Sequence, residues 1–535
     1  MEKSNKWEKT LAQLIQEEKQ KENIVACLKS SSSSSSSIDF LPISIINDSI
    51  NKSIRINPLE EEFESHHDYD HQGDHSETKT NNIVNNKEEE ISSNPIEAWL
   101  PITESRKGNL YFCIFHLVSS GLGIQSLVLP LAFATLGWAW GIAWLSIAFI
   151  WQLYTIWVLT QLHESSSGHR YSRFLQLAMA AFGPKLGKIL ALFPVMYLSG
   201  GTCVTLLITG GGTMQHLYKI LCENSQICDP NSVTIVEWYM VFLCLAIVIA
   251  QLPNLNSMAW VSLVSAITAM VYCTLIWVLS ICNGRVTGST DRPSNQGSES
   301  EIRPFMDVIS AVGIVALSFR GHNLVLEIQG TLPASIKHPT HKTMWKGVKF
   351  SYALIAMCLF PLAIAGYWAY GNLIVDRGML NAYAQFHRKQ GSKVQLAIMY
   401  FFLIINSLCS FQIYAMPVFD NFELRCVSIT KKPCAWWLRT GLRIFFGGLV
   451  FFIAVAAPFL PQLALLIGGI ALPVTFAYPC LMWIFIKKPK KFGTVWCTNL
   501  ILGSLGIFLS VLLIISAIYN VVTKGNSANF FHPKP

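Results

Sequence analysis

Two stretches of the chain place glycine and polar side chains inside otherwise apolar segments. The first runs through Ser119–Gly123 and Gln125, and the second runs through Ser318–His322. Where a helix unwinds, backbone N–H and C=O groups lose their partners, and the N-terminus of the next half-helix attracts an anion. We therefore expect the N–H groups near Gly121–Gln125 to bind a carboxylate and the carbonyls near Leu317–Arg320 to bind an ammonium group.

The side chains around both breaks are predicted to bind the small zwitterion that bridges them. Irregular backbone is tolerated in a membrane only where it is buried in protein or lines a cavity. Paired breaks in two halves of a membrane chain indicate the substrate site of a transporter. The predicted substrate-binding residues are Ser120, Gly121, Gly123, Gln125, Ser318, Phe319, Arg320, Gly321, Tyr197 and Asn406.

Three ionisable residues at the second break extend this prediction. An ionisable side chain inside an apolar span is costly, so it indicates a functional site. Glu327 is predicted to take part in proton coupling, or else to form a structural pair with Arg320 that holds the broken helix together. His322 is predicted to shuttle a proton, or else to cap the half-helix. Both alternatives remain open at the level of the sequence.

The composition indicates that the two breaks lie among many apolar, membrane-spanning segments. Only 13% of the residues are charged and 52% are hydrophobic, whereas soluble domains average about 25% charged residues. A membrane-spanning helix needs about 20 apolar residues. Eleven such segments are predicted, approximately at 109–135, 139–162, 187–220, 234–252, 258–282, 305–332, 344–368, 393–420, 435–457, 459–486 and 494–520. A tight turn at Pro458–Pro461 separates the ninth from the tenth.

The chain divides into an acidic tail and a cationic membrane domain. Residues 1–107 carry 12 Lys and Arg against 20 Asp and Glu, whereas residues 108–535 carry 28 against 12. The tail, with its serine run Ser30–Ser37, is predicted to be disordered. Its His/Asp-rich patch, His66–His75, is predicted either to bind a metal or to be part of this solvated disorder. The positive charge of the whole chain does not indicate nucleic-acid binding.

The loop charges predict the orientation of the chain. Lys and Arg are more numerous in the loops after the second, sixth, eighth and tenth segments, which favours a cytoplasmic N-terminus and an extracellular C-terminus. The first and sixth segments then cross in opposite directions. We predict an all-α membrane protein with eleven transmembrane helices, in which two inverted five-helix halves each begin with a broken helix and one helix is extra.

The sequence contains no motif that indicates an enzyme. The Gly210–Gly212 triplet lacks the lysine of a phosphate-binding loop, and neither G-x-S-x-G nor H-E-x-x-H occurs. No nucleotide-binding domain, cofactor or metal site is expected in the membrane domain, so transport must be driven by a gradient or be passive. Cys222 and Cys228 lie in a polar loop and could form a disulfide if that loop is extracellular.

Several motifs carry a resemblance to a known family. They are Leu136–Trp138, Tyr171–Arg173 with Ala181–Gly183, Gly321–Asn323 with Glu327–Gln329, Pro361–Gly371, and Met416–Asp420. From Asn94 onward the chain resembles the plant amino acid/auxin permease family and, within it, the lysine/histidine transporter branch. The resemblance implies a LeuT-type fold, proton-coupled amino acid uptake and a plant plasma membrane, with the vacuolar membrane as an alternative.

Two departures from the family pattern bear on the substrate. Typical members read Gly-Ala-Gly-Val-Leu-Ser-Leu-Pro in the first segment, whereas this chain has bulkier residues over Ser120–Pro130. Arg320 stands where typical members carry small or tyrosyl residues, and its charge would repel a cationic substrate. We expect neutral or acidic amino acids. The alternatives are auxin-like or other small organic acids, and a non-transporting nutrient sensor that signals through its tail.

Overall fold

Helices build the part of the chain that the structure describes. The computed structural model describes residues 106, 108–165, 170–222, 229, 232–252, 258–291, 302–319, 321–333, 339–374, 378–387, 393–430, 434–457 and 464–524. Within these ranges there is no strand, and one isolated β-bridge joins Glu164 and Arg170. The prediction of an all-α chain is therefore confirmed for these residues. Apart from Arg106, the predicted disordered tail and its His66–His75 patch lie outside them.

Fifteen α-helices follow one another in the described residues. They are α1 (Leu110–Gly121), α2 (Leu129–Leu162), α3 (Phe174–Phe182), α4 (Pro184–Cys222), α5 (Ile235–Ala250), α6 (Ala259–Cys282), α7 (Ile302–Ser318), α8 (Val325–Gly330), α9 (Thr340–Tyr370), α10 (Met379–Phe386), α11 (Lys393–Thr430), α12 (Trp436–Ala456), α13 (Ala464–Phe476), α14 (Tyr478–Lys487) and α15 (Thr494–Lys524). Short 3₁₀ turns lie at Ile124–Val128, His322–Leu324 and Gly371–Leu373.

Among the described residues, nine helical segments are long and apolar enough to cross a membrane. Two shorter apolar helices, α1 and α5, accompany them. Many outward side chains are apolar, such as Ile150, Phe445 and Phe508, each at least 60% exposed. Apolar surface on this scale suits lipid rather than water. The chain is therefore an integral membrane protein, while the predicted number of eleven spans remains a prediction.

Several helix boundaries differ from the predicted segments. The first segment is split, because α1 ends at Gly121 and its continuation merges with the second segment in α2. Helices α3 and α10 were not predicted, because nine and eight residues are too short to appear as spans. The tenth segment is two helices that meet at Ala477, with Pro479 at the start of α14. The predicted turn at Pro458–Pro461 lies outside the described residues.

A glycine makes the turn inside α2 possible. Gly137 has φ 76° and ψ 177°, a backbone conformation that is essentially confined to glycine. It separates the stretch after the first break from the long helix that follows, and it lies in the gap between the first two predicted segments, 109–135 and 139–162. A Cβ at this position would meet no atom within 4 Å, so the conformation alone requires glycine here.

Replacing Gly137 by alanine is expected to lower the stability of the protein by about 1–3 kcal/mol, because alanine must adopt a strained backbone conformation. The matched control is Gly212→Ala in α4, where a Cβ also meets nothing within 4 Å and no positive φ is imposed. Alanine should stabilise that helix slightly. Thermal melting of the detergent-solubilised variants measures the difference, and equal melting temperatures would contradict the prediction.

Candidate functional site

The first break lies immediately after α1. Leu122 (φ −99°, ψ 116°) and Gly123 (φ −140°, ψ 179°) have extended backbones, and a 3₁₀ turn follows them. The freed carbonyls find side-chain partners. Tyr414 donates its hydroxyl to the Ser120 carbonyl at 2.7 Å, and Ser126 donates to the Gly123 carbonyl at 2.7 Å. These bonds stabilise an unwound backbone that would otherwise be costly inside a membrane.

The second break lies between α7 and α8. Helix α7 ends at Ser318, and Gly321 adopts φ 100°, the left-handed region that favours glycine. A 3₁₀ turn, His322–Leu324, then leads into α8. Arg320 lies outside the described residues, so its predicted part in the site remains a prediction. The two glycine-containing breaks that the sequence predicts are thus both present in the backbone.

The two breaks meet in the structure. A Cβ built on Gly321 would lie 2.8 Å from the Ser120 Oγ and 3.4 Å from the Ser120 Cβ. Ser120 and Gly321 are therefore in close contact, although one residue ends α1 and the other follows α7. Such an approach requires glycine at position 321 both for its conformation and for the space it leaves. The freed backbone groups of two half-helices consequently lie in one small region.

Polar side chains fix the second break to its neighbours. His322 Nε2 lies 3.0 Å from the Thr155 Oγ1 and 3.3 Å from the Gln152 carbonyl oxygen, both on α2. Asn323 donates its side-chain N–H to the Ser199 Oγ of α4 at 3.2 Å. His322 therefore holds the 3₁₀ turn against α2. This contact joins His322 to α2 and is not a cap of the half-helix, and its proton-shuttling role remains a prediction.

Aromatic rings line the same region. Phe319 is buried, and its ring centroid lies 5.8 Å from that of Phe149 on α2. The Phe149 ring in turn lies 6.0 Å from that of Tyr352 on α9. The Tyr352 hydroxyl is buried and has no hydrogen-bond partner among the described residues, and it lies close enough to Tyr414 to interact electrostatically. A polar group without a partner is therefore available near the breaks.

Two of the predicted residues make their contacts elsewhere. Tyr197 stacks on Phe193 at 5.6 Å, and Phe193 is 60% exposed. Asn406 on α11 donates to the Ser265 carbonyl at 3.0 Å and to its hydroxyl at 3.1 Å, which joins α11 to α6. Neither contact brings them to Ser120 or Gly321. On α4, the side chain that reaches the second break is that of Ser199, two residues beyond Tyr197.

The remaining predicted residues lie at or beside the breaks. Ser318 donates its hydroxyl to the Val315 carbonyl at 2.7 Å, which is a bond within α7. Gly121 is the buried last residue of α1, and Gly123 and Gln125 are half-buried just beyond it. The sequence reasoning did not select Gln152, Thr155, Tyr352 and Tyr414. Their signal was weak, because a single polar residue in an apolar span more often joins two helices.

Glu327 lies on α8 and is 3% exposed. Its Oε2 is buried and makes no hydrogen bond with any described residue. Arg173 and Asp420, which form a buried ion pair, lie close enough to Glu327 to interact with it electrostatically. The predicted pair between Glu327 and Arg320 involves a residue outside the described ranges. The sequence did not predict that Arg173 and Asp420 lie near Glu327.

The far end of α8 is held by the loop after α2. Arg170 donates to the carbonyls of Leu332 at 3.0 Å and Gln329 at 3.4 Å. Burial and the neighbouring Arg170 lower the pKa of His163 to about 3, so His163 is neutral at physiological pH. The Gln329 side chain donates to the Thr160 carbonyl at 3.1 Å. The half-helix is thus attached to its surroundings at both ends.

No cluster of His, Cys, Asp and Glu suited to a metal ion occurs among the residues that the structure describes. Cys222 is disulfide-bonded, and its predicted partner, Cys228, lies outside those residues. The described groups at the breaks include backbone dipoles, hydroxyls, aromatic rings, the His322 imidazole and the Glu327 carboxyl group.

Comparisons with known proteins agree with this arrangement. Residues 106–523 match the family described as transmembrane amino acid transporter protein. Lysine histidine transporter-like 8 from Arabidopsis thaliana is 51% identical over 440 residues, which are 82% of this chain and 84% of that protein. Lysine histidine transporter-like 7 from the same organism is 47% identical over 443 residues, or 82% and 90% of the two chains.

One solved structure aligns more weakly. It is described as the substrate-bound outward-open state of a Na⁺-coupled sialic acid symporter, and it aligns with a TM-score of 0.45 at 12% identity. The alignment covers 78% of this chain and 92% of that one. A likeness at this level carries no argument about mechanism.

Replacing Gly321 by alanine is expected to destabilise the protein by more than the roughly 1–2 kcal/mol that a left-handed conformation costs. The added Cβ must also displace Ser120. Gly284→Ala is the matched control, because Gly284 has φ 82° but open space around it. Thermal melting in detergent compares the two variants.

The double variant Ser120→Gly/Gly321→Ala should regain part of the stability that Gly321→Ala loses, since it removes the atoms that clash. A Gly321→Ala protein as stable as Gly284→Ala, or a double variant no more stable than Gly321→Ala alone, would show that the two breaks do not touch.

Proposed function

The chain belongs to the transmembrane amino acid transporter family, and from this premise we propose that it carries a neutral or acidic amino acid across a membrane together with a proton. The lysine/histidine transporter branch predicted from the motifs is confirmed by the two Arabidopsis relatives. The long acidic tail and the altered first break also resemble the lysine/histidine transporter-like 8 subgroup, which agrees with the first of these relatives. The family is one of transporters rather than enzymes.

The contact between Ser120 and Gly321 carries the proposal. It supports a substrate site between the two breaks, because the interrupted ends of two half-helices, where backbone groups lose intrahelical partners, lie together. An amino acid has one anionic and one cationic end at the required short separation. In this proposal its carboxylate binds near Gly121–Gln125 and its ammonium group binds the carbonyls near Leu317–Phe319.

The neighbouring side chains complete the proposed site. Phe319 supplies an apolar contact for the substrate side chain, and the Tyr352 hydroxyl, which bonds to none of the described residues, supplies a hydrogen bond. Neither group carries a charge. Arg320, directly before Gly321 in the sequence, would add a positive charge that opposes a cationic substrate in a medium of low dielectric constant. Neutral or acidic amino acids are therefore the proposed substrates.

Glu327 is the proposed proton carrier. It is buried, and its Oε2 makes no hydrogen bond with any described residue. An ionised carboxylate without a partner is strongly disfavoured in such surroundings, and a bound proton removes the charge. Because Glu327 lies on the half-helix that begins at the second break, its proton and the bound amino acid act on the same short segment.

We further propose a LeuT-type arrangement with eleven transmembrane helices in two inverted halves. The split of α1 from its continuation and the split of α7 from α8 support it, since each proposed half begins with one of them. The N-terminus is cytoplasmic and the C-terminus extracellular in this proposal, and the plasma membrane is the proposed location.

Radiolabelled uptake into proteoliposomes tests the function. An imposed pH gradient, acidic on the substrate side, should drive accumulation of a neutral or acidic amino acid. Uptake that ignores the gradient would reject proton coupling. Binding without any flux would favour a nutrient sensor, and selective uptake of indole acids would favour an auxin-like substrate.

Replacing Glu327 by glutamine is expected to abolish accumulation driven by the pH gradient, because the amide cannot exchange a proton. Counterflow exchange of labelled for unlabelled substrate should persist. The matched control is Asp307→Asn on α7, which removes a carboxylate from a less buried position of the same broken segment. Undiminished accumulation by Glu327→Gln would leave Glu327 a structural role only.

A competition panel tests the substrate charge. Unlabelled neutral and acidic amino acids should inhibit uptake more strongly than lysine or arginine does. Arg320→Gln should weaken that discrimination by about tenfold, which corresponds to a loss of about 1.4 kcal/mol of repulsion. Strong competition by lysine against the unmodified protein would contradict the proposed substrate class.

A further inference from the structure

A buried ion pair joins α11 to the start of α3. Arg173 precedes the first residue of α3, and Asp420 lies on α11; their side chains are 5% and 0% exposed. Arg173 donates Nε–H to the Asp420 Oδ2 and an Nη2–H to the Oδ1 at 3.4 Å. Removing one partner from such a pair leaves an uncompensated charge, which is far more costly than the pair itself.

Glu327 is the second carboxyl group of this cluster. Both Asp420 and Arg173 lie close enough to interact with it electrostatically. The cluster therefore contains two carboxyl groups and one guanidinium group, and the guanidinium donates hydrogen bonds to Asp420. With both carboxyl groups ionised, this cluster of described residues holds two negative charges and one positive charge.

Other described polar groups around α8 make contacts with groups other than Glu327. Arg170 on the loop after α2 donates to the carbonyls of Gln329 and Leu332, and His163 beside it is neutral at physiological pH. From α9, Thr340 bonds to the Gln329 side chain at 3.1 Å. From α1, His116 Nδ1 lies 2.6 Å from the Ser262 hydroxyl of α6.

We propose that Asp420 is a positioning residue for proton binding: by holding Arg173, it keeps the guanidinium away from Glu327 and leaves Glu327 free to take up and release a proton. This inference rests on the proposed role of Glu327 in coupling. The relation is competitive, because Arg173 stabilises the charged form of whichever carboxylate it pairs with.

Substitutions of Asp420 and of Arg173 should therefore change the proton affinity of Glu327 in opposite directions. Asp420→Asn frees Arg173 to pair with ionised Glu327, so Glu327 binds a proton less readily. Arg173→Gln leaves two carboxyl groups without a cation, so a proton is held more tightly. In Arg173→Gln/Asp420→Asn both charges are gone, and Glu327 is again a lone buried carboxyl group.

The test is the pH dependence of substrate uptake by each full-length variant in proteoliposomes. Relative to the unmodified protein, the pH of half-maximal uptake should fall by about 1 unit or more in Asp420→Asn and rise by a similar amount in Arg173→Gln. The double variant should return close to the unmodified profile. Loss of packing alone would shift both single variants in the same direction or change only the maximal rate.

Thermal melting supplies a second measurement that does not require transport. Adding Glu327→Gln to Asp420→Asn should lower the melting temperature more than Glu327→Gln does alone, because Glu327 has become the partner of Arg173. Unchanged profiles in both single variants, or shifts in the same direction, would overturn the inference. An Asp420→Asn protein that fails to assemble would also overturn it, since Glu327 would not have replaced Asp420.

Failure of the proposed positioning role of Asp420 can be distinguished from failure of proton coupling itself. If the unmodified protein shows no response to a pH gradient, proton coupling itself is rejected. If it responds and Glu327→Gln abolishes the response, while the Arg173 and Asp420 variants keep the original profile, only the positioning role is rejected.

Discussion

The structure depends on one constraint: a helix interrupted inside a membrane must find new partners for the backbone groups it frees. At the first break, the hydroxyls of Tyr414 and Ser126 donate hydrogen bonds to the carbonyls of Ser120 and Gly123. At the second, Gly321 turns the chain sharply enough for a new half-helix to begin. Because local bonds such as that of Ser126 satisfy each break only in part, the breaks also depend on the helices around them.

The supports of the two breaks come from different helices. On α2, Gln152 donates to the Ala316 carbonyl of α7 at 2.8 Å and its own carbonyl lies beside His322, so α2 holds both sides of the second break. The first break is held from α11 through Tyr414, and α1 is joined to α6 through His116. A relative shift of these supports would change the space between Ser120 and Gly321.

Features with a local cause could be predicted from the sequence, whereas contacts between residues far apart in the chain could not. Glycine and polar residues within an apolar run predicted both breaks, since their cause is local. On α4 the sequence favoured Tyr197 as a ligand, which stays a prediction, whereas packing brings Ser199 to Asn323. The Arg173–Asp420 pair could not be derived, because nothing local in either segment specifies a partner so far away in the chain.

The 3₁₀ turn and α8 together connect the two proposed chemistries. They span His322–Gly330, which is about 14 Å at the rise of an α-helix. His322 and Asn323 fix one end beside the break, Glu327 lies within the segment, and Gln329 fixes the other end. In the proposed coupling, a change of charge at Glu327 therefore acts on a segment that begins at the break, without a side-chain relay between proton and substrate. Coupling then requires that Arg173 and the backbone groups at the break each interact differently with this segment in two conformations of the protein.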